Sequence, residues 1–452
     1  MKLLLIQPPS SSPLFDQVHI FEPLALEYLG AAVRLDGHEV LVHDARLDPD
    51  YLEVFRSFCP DVIGLTGFTT HVNIIKNIAA RLKEFDPGVF VIIGGHHATI
   101  CPEDFNVRAI DLVVIGDGTF ALREILEVMK GSGNMRGIRG LAIPSSDGMI
   151  LTESRPHPAL DDMPFPDRNL TSRYHKHYFS EWFSPLASVR TSLGCVGRCK
   201  FCSLWPLPNG KYLRRDPERV VSELSTISAP NVFFCDDESM CDVRRMESLA
   251  VLIRKAGIQK RYFLYARADT IVKHPALFAT WASIGLAQVF VGMEDFSDAR
   301  LTAFNKGINT EQQQEAAAIL AKLGIAIYAS FMIDPAYSKE DFLALHRYIR
   351  QLKLRHVSFT ILTPLPGSEM YRKEAGTLLS RKPELYDLLH AVVPTRLPLS
   401  TFYAEVARLY SRAVPLHRYI PITLKLGIHG ILLRMRILKK FLLYLRTAQS
   451  TH

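Results

Sequence analysis

Three cysteines, Cys195, Cys199 and Cys202, lie within eight residues of one another, in a stretch that also contains Gly194 and Gly197. Three thiolates on one short loop can bind a metal or an iron–sulfur cluster, and the glycines allow the tight turns that such a loop needs. A structural zinc site requires four ligands, and a 4Fe–4S cluster is normally held by four cysteines. The motif therefore predicts a cluster with one iron left open for chemistry.

Two other interpretations of these cysteines are a set of free thiols and a zinc site completed by a distant histidine. No histidine or cysteine follows the motif at zinc-finger spacing, which weighs against zinc. The other four cysteines are scattered singly, as expected of ordinary core or loop residues; they are Cys59, Cys101, Cys235 and Cys241.

The cysteine spacing, with the aromatic Phe201 just before the last cysteine, resembles the signature of the radical S-adenosylmethionine (SAM) enzymes. The resemblance implies that the three thiolates bind three irons and that the amino and carboxylate groups of SAM chelate the fourth. An electron from the reduced cluster would then cleave SAM to methionine and a 5′-deoxyadenosyl radical, which abstracts hydrogen from a substrate.

Strand and helix patterns alternate six times within residues 186–369, and they predict a partial TIM-type (β/α)6 barrel around the cysteine loop. In such barrels the functional residues lie at the carboxyl ends of the strands. By resemblance, the residues expected to contact SAM there are Phe201, Asp236, Glu238, Arg267 and Glu294.

Two of these residues have specific expected roles. Glu294 would contact the ribose or the amino group of SAM, and Arg267 would pair with its carboxylate. For Arg267 the alternative is a salt bridge to Asp269 or Glu294, and Lys306 is interpreted as structural. Asp237 and Asp295 are either functional or simple helix caps.

Residues 1–145 alternate short apolar strands with helices, which predicts an α/β, Rossmann-like, doubly wound sheet. Ligands of such sheets bind beyond the carboxyl ends of the strands. The loops there resemble those of the cobalamin-binding domain that precedes many radical SAM enzymes. The residues expected to contact cobalamin are Pro9, Thr66, Thr69, Gly94, Gly95, His96 and Gly116.

This first domain departs from the cobalamin domains that supply an axial histidine. Their Asp-x-His-x-x-Gly motif follows the first strand, whereas residues 8–16 here contain no histidine. The resemblance therefore implies base-off cobalamin without an axial histidine from the protein. His71, His96 and His97 lie in nearby loops, where they are equally well explained as polar loop residues.

The rest of the chain divides into a linker and a tail. Residues 146–185 are proline-rich and predict an irregular linker, and residues 370–452 predict a helical, basic, amphipathic region. From Val406 onward there are nine Lys or Arg and no acid, which leaves 44 basic against 46 acidic residues in the first 405. The tail fits either a helix on an anionic membrane or a helix packed on the barrel.

The composition of the 452-residue chain is that of a globular protein, with 48% hydrophobic and 22% charged residues. Seven cysteines without a secretory leader argue against a disulfide scaffold. We expect a cytoplasmic protein, with peripheral contact to the inner membrane as an option for the tail.

Together these features predict a cobalamin-dependent radical SAM methyltransferase that uses two SAM molecules, one to methylate cobalamin and one to generate the radical. The expected substrate is hydrophobic, an isoprenoid lipid such as a hopanoid, and the electron donor is of the flavodoxin or ferredoxin type. The alternatives are cyclisation or rearrangement of a tetrapyrrole, RNA methylthiolation, and a non-catalytic cobalamin carrier. No nucleic-acid partner is expected, because the basic tail is rich in Leu and Ile.

Overall fold

The computed structural model describes residues 1–12 and 15–413, which form two compact units. The first unit comprises residues 1–192 and 206–231 and contains a seven-stranded sheet in the order β3-β1-β4-β5-β6-β7-β8. The strands of this region are β1 (Lys2–Gln7), β2 (His19–Ile20), β3 (Glu39–Asp44), β4 (Val62–Thr66), β5 (Phe90–Gly94), β6 (Leu112–Val114), β7 (Leu141–Ser145), β8 (Gly148–Leu151), β9 (Phe179–Ser180), β10 (Leu186–Val189), β11 (Ser192–Leu193) and β12 (Leu213–Arg214).

The first five long strands are parallel, as their continuous apolar sequences predict. Leu4 of β1 pairs with Leu41 on one side and with Ile63 on the other. Both faces of these strands are covered by helices, which are α1 (Leu24–Arg34), α2 (Tyr51–Phe58), α3 (Val72–Phe85), α4 (His96–Ile100) and α5 (Gly118–Met129). A further helix, α6 (Pro217–Thr226), lies later in the chain. The predicted doubly wound sheet is confirmed.

The sheet continues past the expected boundary at residue 145. Strands β7 and β8 form an antiparallel hairpin that adds two strands beyond β6 and ends at Leu151. The sequence predicts residues 146–151 as linker, because the Gly-Met-Ile-Leu of β8 is too short for an alternating strand pattern to show.

The remainder of the linker is irregular, as expected, but a buried charge cluster orders it. A 3₁₀ helix spans Arg168–His177, and Arg168 lies among three glutamates. Its guanidinium nitrogens lie 2.5 Å from a Glu22 carboxylate oxygen and 2.6 Å from a Glu223 oxygen. These pairs fix the linker to the start of α1 and to α6.

Among the described residues, the second unit comprises residues 193–205 and 232–413. All six strands predicted for the second half are present, and they follow one another in sequence order across a six-stranded sheet. After β10 they are β13 (Asn231–Phe234), β14 (Arg261–Tyr265), β15 (Leu286–Glu294), β16 (Ala326–Ile333) and β17 (His356–Ile361). The strands from β14 to β17 are parallel, which is the arrangement of the predicted partial (β/α)6 barrel.

One or two helices lie between successive strands of this sheet from β13 onward, and the strand–helix alternation is the predicted one. The helices begin at capping residues such as Asp242, Asn309 and Ser338, whose side chains accept backbone N–H groups of the first turn. The helices are α7 (Val243–Lys255), α8 (Ala268–Lys273), α9 (Pro275–Ala282), α10 (Asp298–Ala303), α11 (Thr310–Lys322) and α12 (Lys339–Gln351). The short helices α8 and α10 were not predicted.

The region after the barrel contains α13 (Glu369–Glu374) and α14 (Leu399–Ala413), separated by an irregular segment. The predicted basic amphipathic helix within residues 416–446 lies outside the described residues. In the part of the chain that the structure describes, no helix has the length and hydropathy needed to cross a bilayer.

Candidate active site

The cysteine loop runs from the end of β11 to Trp205. Two hydrogen bonds join it to residues outside the loop, and a third lies within it. The Gly194 N–H, at a φ of +92°, donates to a carboxylate oxygen of Asp237 at 2.7 Å. The Trp205 indole N–H donates to the Cys199 carbonyl oxygen at 3.1 Å. The Lys200 N–H donates to the Phe304 carbonyl oxygen at 3.0 Å. The loop is therefore ordered by its surroundings in the second unit.

All three thiols are shielded from solvent, and burial raises the pKa of each, to about 11 for Cys202. Backbone N–H groups point at two of the sulfurs, from Gly197 to Cys195 Sγ at 3.3 Å and from Leu204 to Cys202 Sγ at 3.4 Å. Such donors stabilise a negatively charged thiolate once it binds metal. Loading of the loop should therefore release protons from these thiols.

The spacing of the sulfurs fits a cluster better than a single ion. In the described part of the chain, two groups of three side chains have ligand atoms that all lie within 4.8 Å of one another. The sulfurs of Cys195, Cys199 and Cys202 do not form such a group. One tetrahedral ion needs ligands at such short mutual distances, whereas a 4Fe–4S cluster binds each thiolate at a different iron. The donor set therefore suits an iron–sulfur cluster held by three cysteines.

Arg267 and Glu294 come from the ends of neighbouring strands, as predicted. Arg267 Nε donates to Asp269 Oδ1 at 2.9 Å, which is one of the salt bridges considered for it, and Nη2 donates to the Lys306 carbonyl oxygen at 2.8 Å. The Glu294 carboxylate pairs with Lys306, whose Nζ lies 2.6 Å from Oε1. Glu294 has a φ of +64°, in the left-handed region that costs a non-glycine residue about 1 kcal/mol or more.

The other residues expected to contact SAM occupy buried positions of the same unit. Asp236 and Glu238 follow β13 and are each 1% exposed. Burial raises the pKa of Glu238, and the nearby Arg267 acts in the opposite direction. Phe201 packs edge-on against Phe304, with ring centroids 5.9 Å apart, so this ring also anchors the loop to the apolar core.

The residues expected to contact cobalamin lie at the carboxyl ends of β1, β4, β5 and β6. Pro9 follows β1, Thr66 ends β4 and pairs with Gly94, and Gly116 follows β6 with a φ of +85°. A Cβ on Gly94 would meet no atom within 4 Å, so the backbone there borders open space. These positions share one edge of the sheet, as parallel strands require.

Gly95 lies where the loops after β4 and β5 approach each other closely. Its φ is +99°, and a Cβ there would lie 2.5 Å from the Thr66 hydroxyl oxygen and 3.0 Å from the Gly67 nitrogen. The glycine is required because the loops after β4 and β5 touch at this point. Contact of Gly95 with cobalamin stays a prediction.

Thr69 is part of a buried relay behind the same loops. Asp104, a carboxylate that can only accept, lies 2.9 Å from His97 Nε2, so Nε2 donates to it. His97 Nδ1, 3.0 Å from the Thr69 oxygen, therefore accepts the threonine hydroxyl proton in the neutral imidazole. This relay fixes the orientation of the Thr69 hydroxyl.

His71 and His96 flank the exposed ring of Phe68, with centroids 6.1 and 5.8 Å from it. Burial lowers the pKa of each imidazole to about 4, so both are neutral at physiological pH. Nδ1 of His71 accepts the Phe68 N–H at 3.3 Å. His71 ends a short 3₁₀ helix (Thr69–His71) after β4, and His96 begins α4 after β5, so neither lies in a loop as the sequence predicted.

Asp237 and Lys306 are site residues whose roles the sequence did not reveal. Asp237 accepts the Gly194 N–H from the cysteine loop, and the next helix is capped by Asp242 instead. Lys306 is separated from Glu294 by a short helix, and no periodicity connects the two residues. The sequence signal for Lys306 is a lysine between asparagine and glycine, which by itself suggests only a structural role.

Comparison with known proteins agrees with this division of the chain. The family profile for the B12 binding domain matches residues 18–126, and the profile for the radical SAM superfamily matches residues 189–349. Together the two profiles cover both predicted domains, in the predicted order.

Proteins similar to this chain include a methylase and a cyclase. Hopanoid C-3 methylase from Methylococcus capsulatus is 29% identical over 419 residues, covering 90% of this chain and 79% of the relative. An anaerobic magnesium-protoporphyrin IX monomethyl ester cyclase from Rubrivivax gelatinosus is 23% identical over 406 residues, covering 86% and 71%.

Among solved structures, the fold is similar to that of the radical SAM methyltransferase TsrM from Kitasatospora setae with cobalamin and a 4Fe–4S cluster bound. The TM-score is 0.73 at 18% identity, covering 92% of this chain and 89% of that one. The cysteine loop, the doubly wound first domain and both profiles lead to the same conclusion. With a B12 binding domain followed by a radical SAM domain, the chain belongs to the cobalamin-dependent radical SAM enzymes.

Proposed function

We propose that this enzyme transfers a methyl group to an unactivated carbon of a hydrophobic substrate, an isoprenoid lipid such as a hopanoid. The observation that carries the proposal is a row of aromatic side chains across the barrel sheet, separated from the Glu294 carboxylate by one row of small residues. The similarity to a hopanoid methylase along most of the chain supports the same substrate class.

The aromatic row consists of Tyr265, Phe290, Tyr328 and His356, which are paired in register on four adjacent strands. The ring centroids of Tyr265 and Phe290 are 4.8 Å apart, and those of Phe290 and Tyr328 are 5.4 Å apart. Aromatic side chains offer large apolar faces for burying a hydrocarbon ring system. The row therefore suits an apolar, polycyclic substrate.

The next row towards the carboxyl ends of the strands has small side chains, namely Gly292, Ser330 and Ser358. It lies on the same face as the aromatic row, because residues two apart on a strand point the same way. A Cβ on Gly292 would lie 2.2 Å from Glu294 Oε1, so this face meets the Glu294 carboxylate. Small residues here leave room between the aromatic row and the site expected for SAM.

When bound, the cluster, SAM and cobalamin would supply reductive SAM cleavage and a transferable methyl group. Cys195, Cys199 and Cys202 would hold the cluster, while Arg267 and Glu294 would orient SAM through its carboxylate and its amino or ribose groups. Asp236, Glu238 and Phe201 would complete the SAM pocket. The loops containing Pro9, Thr66, Thr69, Gly94, Gly95, His96 and Gly116 would contact cobalamin.

We further infer that cobalamin binds base-off without an axial histidine from the protein. His71 supports this inference, because its Nδ1 accepts the Phe68 N–H and the proton of the neutral ring therefore lies on Nε2. A protonated nitrogen has no lone pair for cobalt. An electron donor of the flavodoxin or ferredoxin type, a cytoplasmic location and membrane contact of the basic tail belong to the same proposal.

The test is an anaerobic assay of the reconstituted protein with SAM, a reductant and a polycyclic isoprenoid lipid. Formation of 5′-deoxyadenosine together with a product heavier by one CH₂ is the expected result. A product that loses hydrogen without gaining carbon would point to the cyclisation reaction instead. That second candidate is favoured by the similarity to the magnesium-protoporphyrin cyclase, so a magnesium-porphyrin ester is the matched alternative substrate.

A further inference from the structure

Lys306 is a buried cation beside the site expected for SAM. The residue is 8% exposed, and its Nζ lies 2.6 Å from Glu294 Oε1. Burial acts to lower the pKa of Lys306, but the charges of Glu294 and Cys199 outweigh it, and the pKa is raised. The ammonium group is therefore charged.

The position of this ion pair depends on a glycine. A Cβ at Gly292 would lie 2.2 Å from Glu294 Oε1 and 2.9 Å from Lys306 Nζ, so any larger residue would displace the pair. Glu294 itself adopts a φ of +64°, which costs free energy that its surroundings must offset. A charge-assisted hydrogen bond to Lys306 is such a compensation.

The segment around Lys306, residues 304–307, also forms hydrogen bonds with the cysteine loop. The Phe304 carbonyl oxygen accepts the Lys200 N–H, and the Asn305 side-chain amide donates to the Arg198 carbonyl oxygen at 2.7 Å. The Lys306 carbonyl oxygen accepts from Arg267 Nη2 at 2.8 Å. One short segment therefore contacts the cysteine loop and both residues expected to orient SAM.

Lys306 also lies close to one of the cysteines. The two residues before it, Phe304 and Asn305, form hydrogen bonds with Lys200 and Arg198, the residues on either side of Cys199. A buried cation close to an iron–sulfur cluster favours the reduced state, because reduction adds a negative charge in a region of low dielectric constant.

We propose that Lys306 is a positioning residue that holds the Glu294 carboxylate for SAM and, through its charge, raises the reduction potential of the cluster. This inference rests on the proposed function, since it requires a cluster on the three cysteines. A purely structural lysine would affect folding or cluster content without a sign-dependent effect on the potential.

The experiment compares three variants of the reconstituted protein by EPR-monitored redox titration in alkaline buffer. Lys306→Met removes the cation and should lower the potential, whereas Glu294→Gln removes the anion and should raise it. Lys306→Arg keeps the charge and should leave the potential near that of the wild type. Affinity for SAM, measured from its effect on the cluster spectrum, should fall at least tenfold in Lys306→Met and partly recover in Lys306→Arg.

Opposite shifts in the first two variants, at unchanged iron content, are the result expected. Equal potentials in wild type and Lys306→Met, or shifts of the same sign in Lys306→Met and Glu294→Gln, would overturn the inference. Failure of the wild-type protein to bind iron at all would instead overturn the proposed function. If Lys306→Met does not fold, Glu294→Gln and Lys306→Arg still test the sign of the charge effect.

Discussion

The Tyr410 hydroxyl of α14 satisfies both backbone hydrogen-bonding groups of Phe359 on the edge strand β17. It donates to the Phe359 carbonyl oxygen at 2.5 Å and accepts the Phe359 N–H at 3.3 Å. These are groups that a further strand would otherwise pair with. In this way one phenol from the helix covers the open edge of the barrel sheet at this position.

Tyr410→Phe should therefore destabilise the protein. Phe359 would lose both of its hydrogen bonds to the phenol, and unmet buried groups cost about 1–3 kcal/mol. Chemical denaturation followed by circular dichroism measures the change. Tyr51→Phe, at a partly buried tyrosine of α2, is the control and should have a smaller effect. Equal effects of the two variants would contradict this account of the edge.

Replacing Cys195, Cys199 and Cys202 together with alanine should remove the cluster and with it the cleavage of SAM. Iron content, cluster absorbance and 5′-deoxyadenosine production are the measurements. Cobalamin binding should persist, because the loops expected to contact it belong to the other unit. Cys59→Ala, at an exposed cysteine, should leave all four readouts unchanged. Continued 5′-deoxyadenosine production by the triple variant would refute the assignment.

Gly95→Ala and Gly94→Ala should differ in a specific way. The first places a Cβ 2.5 Å from the Thr66 oxygen at a φ of +99°, so it should lower the melting temperature of the cobalamin-free protein. The second meets no atom within 4 Å and should leave that temperature unchanged, yet weaken cobalamin retention where the cofactor approaches the backbone. Full retention of cobalamin by Gly94→Ala would contradict the proposed site at this loop.

Glu27 should make the stability depend on pH. Burial and the neighbouring Glu22 raise the pKa of this carboxyl well above its ordinary value. The folded state then binds the proton more tightly than the unfolded state, so the contribution of Glu27 to stability falls as pH rises from the acidic range.

Glu27→Gln cannot lose a proton there, so its stability should decline less than that of the wild type with rising pH. Denaturation curves across the acidic to neutral range provide the measurement. Glu223→Gln is the contrasting variant, because Arg168 and Arg215 both pair with Glu223. That variant should lose stability, by roughly 3–5 kcal/mol, since breaking one side of a buried pair leaves charge uncompensated. Parallel pH curves for wild type and Glu27→Gln would exclude a raised pKa.

Ser330→Leu should separate methylation from SAM cleavage. Ser330 follows Tyr328 of the aromatic row by two residues on β16 and lies on the same face of the sheet. A larger side chain there would occupy the space proposed for the substrate. We expect the yield of methylated product to fall at least tenfold. In an assay from which the lipid substrate is omitted, the variant should still form 5′-deoxyadenosine. Ser225→Leu, on the exposed face of α6, should match the wild type in both assays. Equal methylation by Ser330→Leu would place the substrate elsewhere.

The sequence by itself determined the cysteine motif, the two strand–helix repeats and their order. Apolar runs with regular spacing identify buried strands and amphipathic helices, and the cysteine spacing depends only on local chain geometry. For this reason the sequence predicts all six strands of the second half. It misses the hairpin strand β8, because four residues are too few to show an alternating pattern.

Only the tertiary structure decided which side chains meet. Lys306 forms an ion pair with Glu294, and Asp237 accepts the Gly194 N–H. A glycine is needed at position 95 because a Cβ there would collide with the Thr66 hydroxyl. The register that aligns Tyr265, Phe290, Tyr328 and His356 in one row is equally invisible in the chain. Such contacts join residues that no local pattern connects, because they depend on how separate strands pair and how the loops after them fold back.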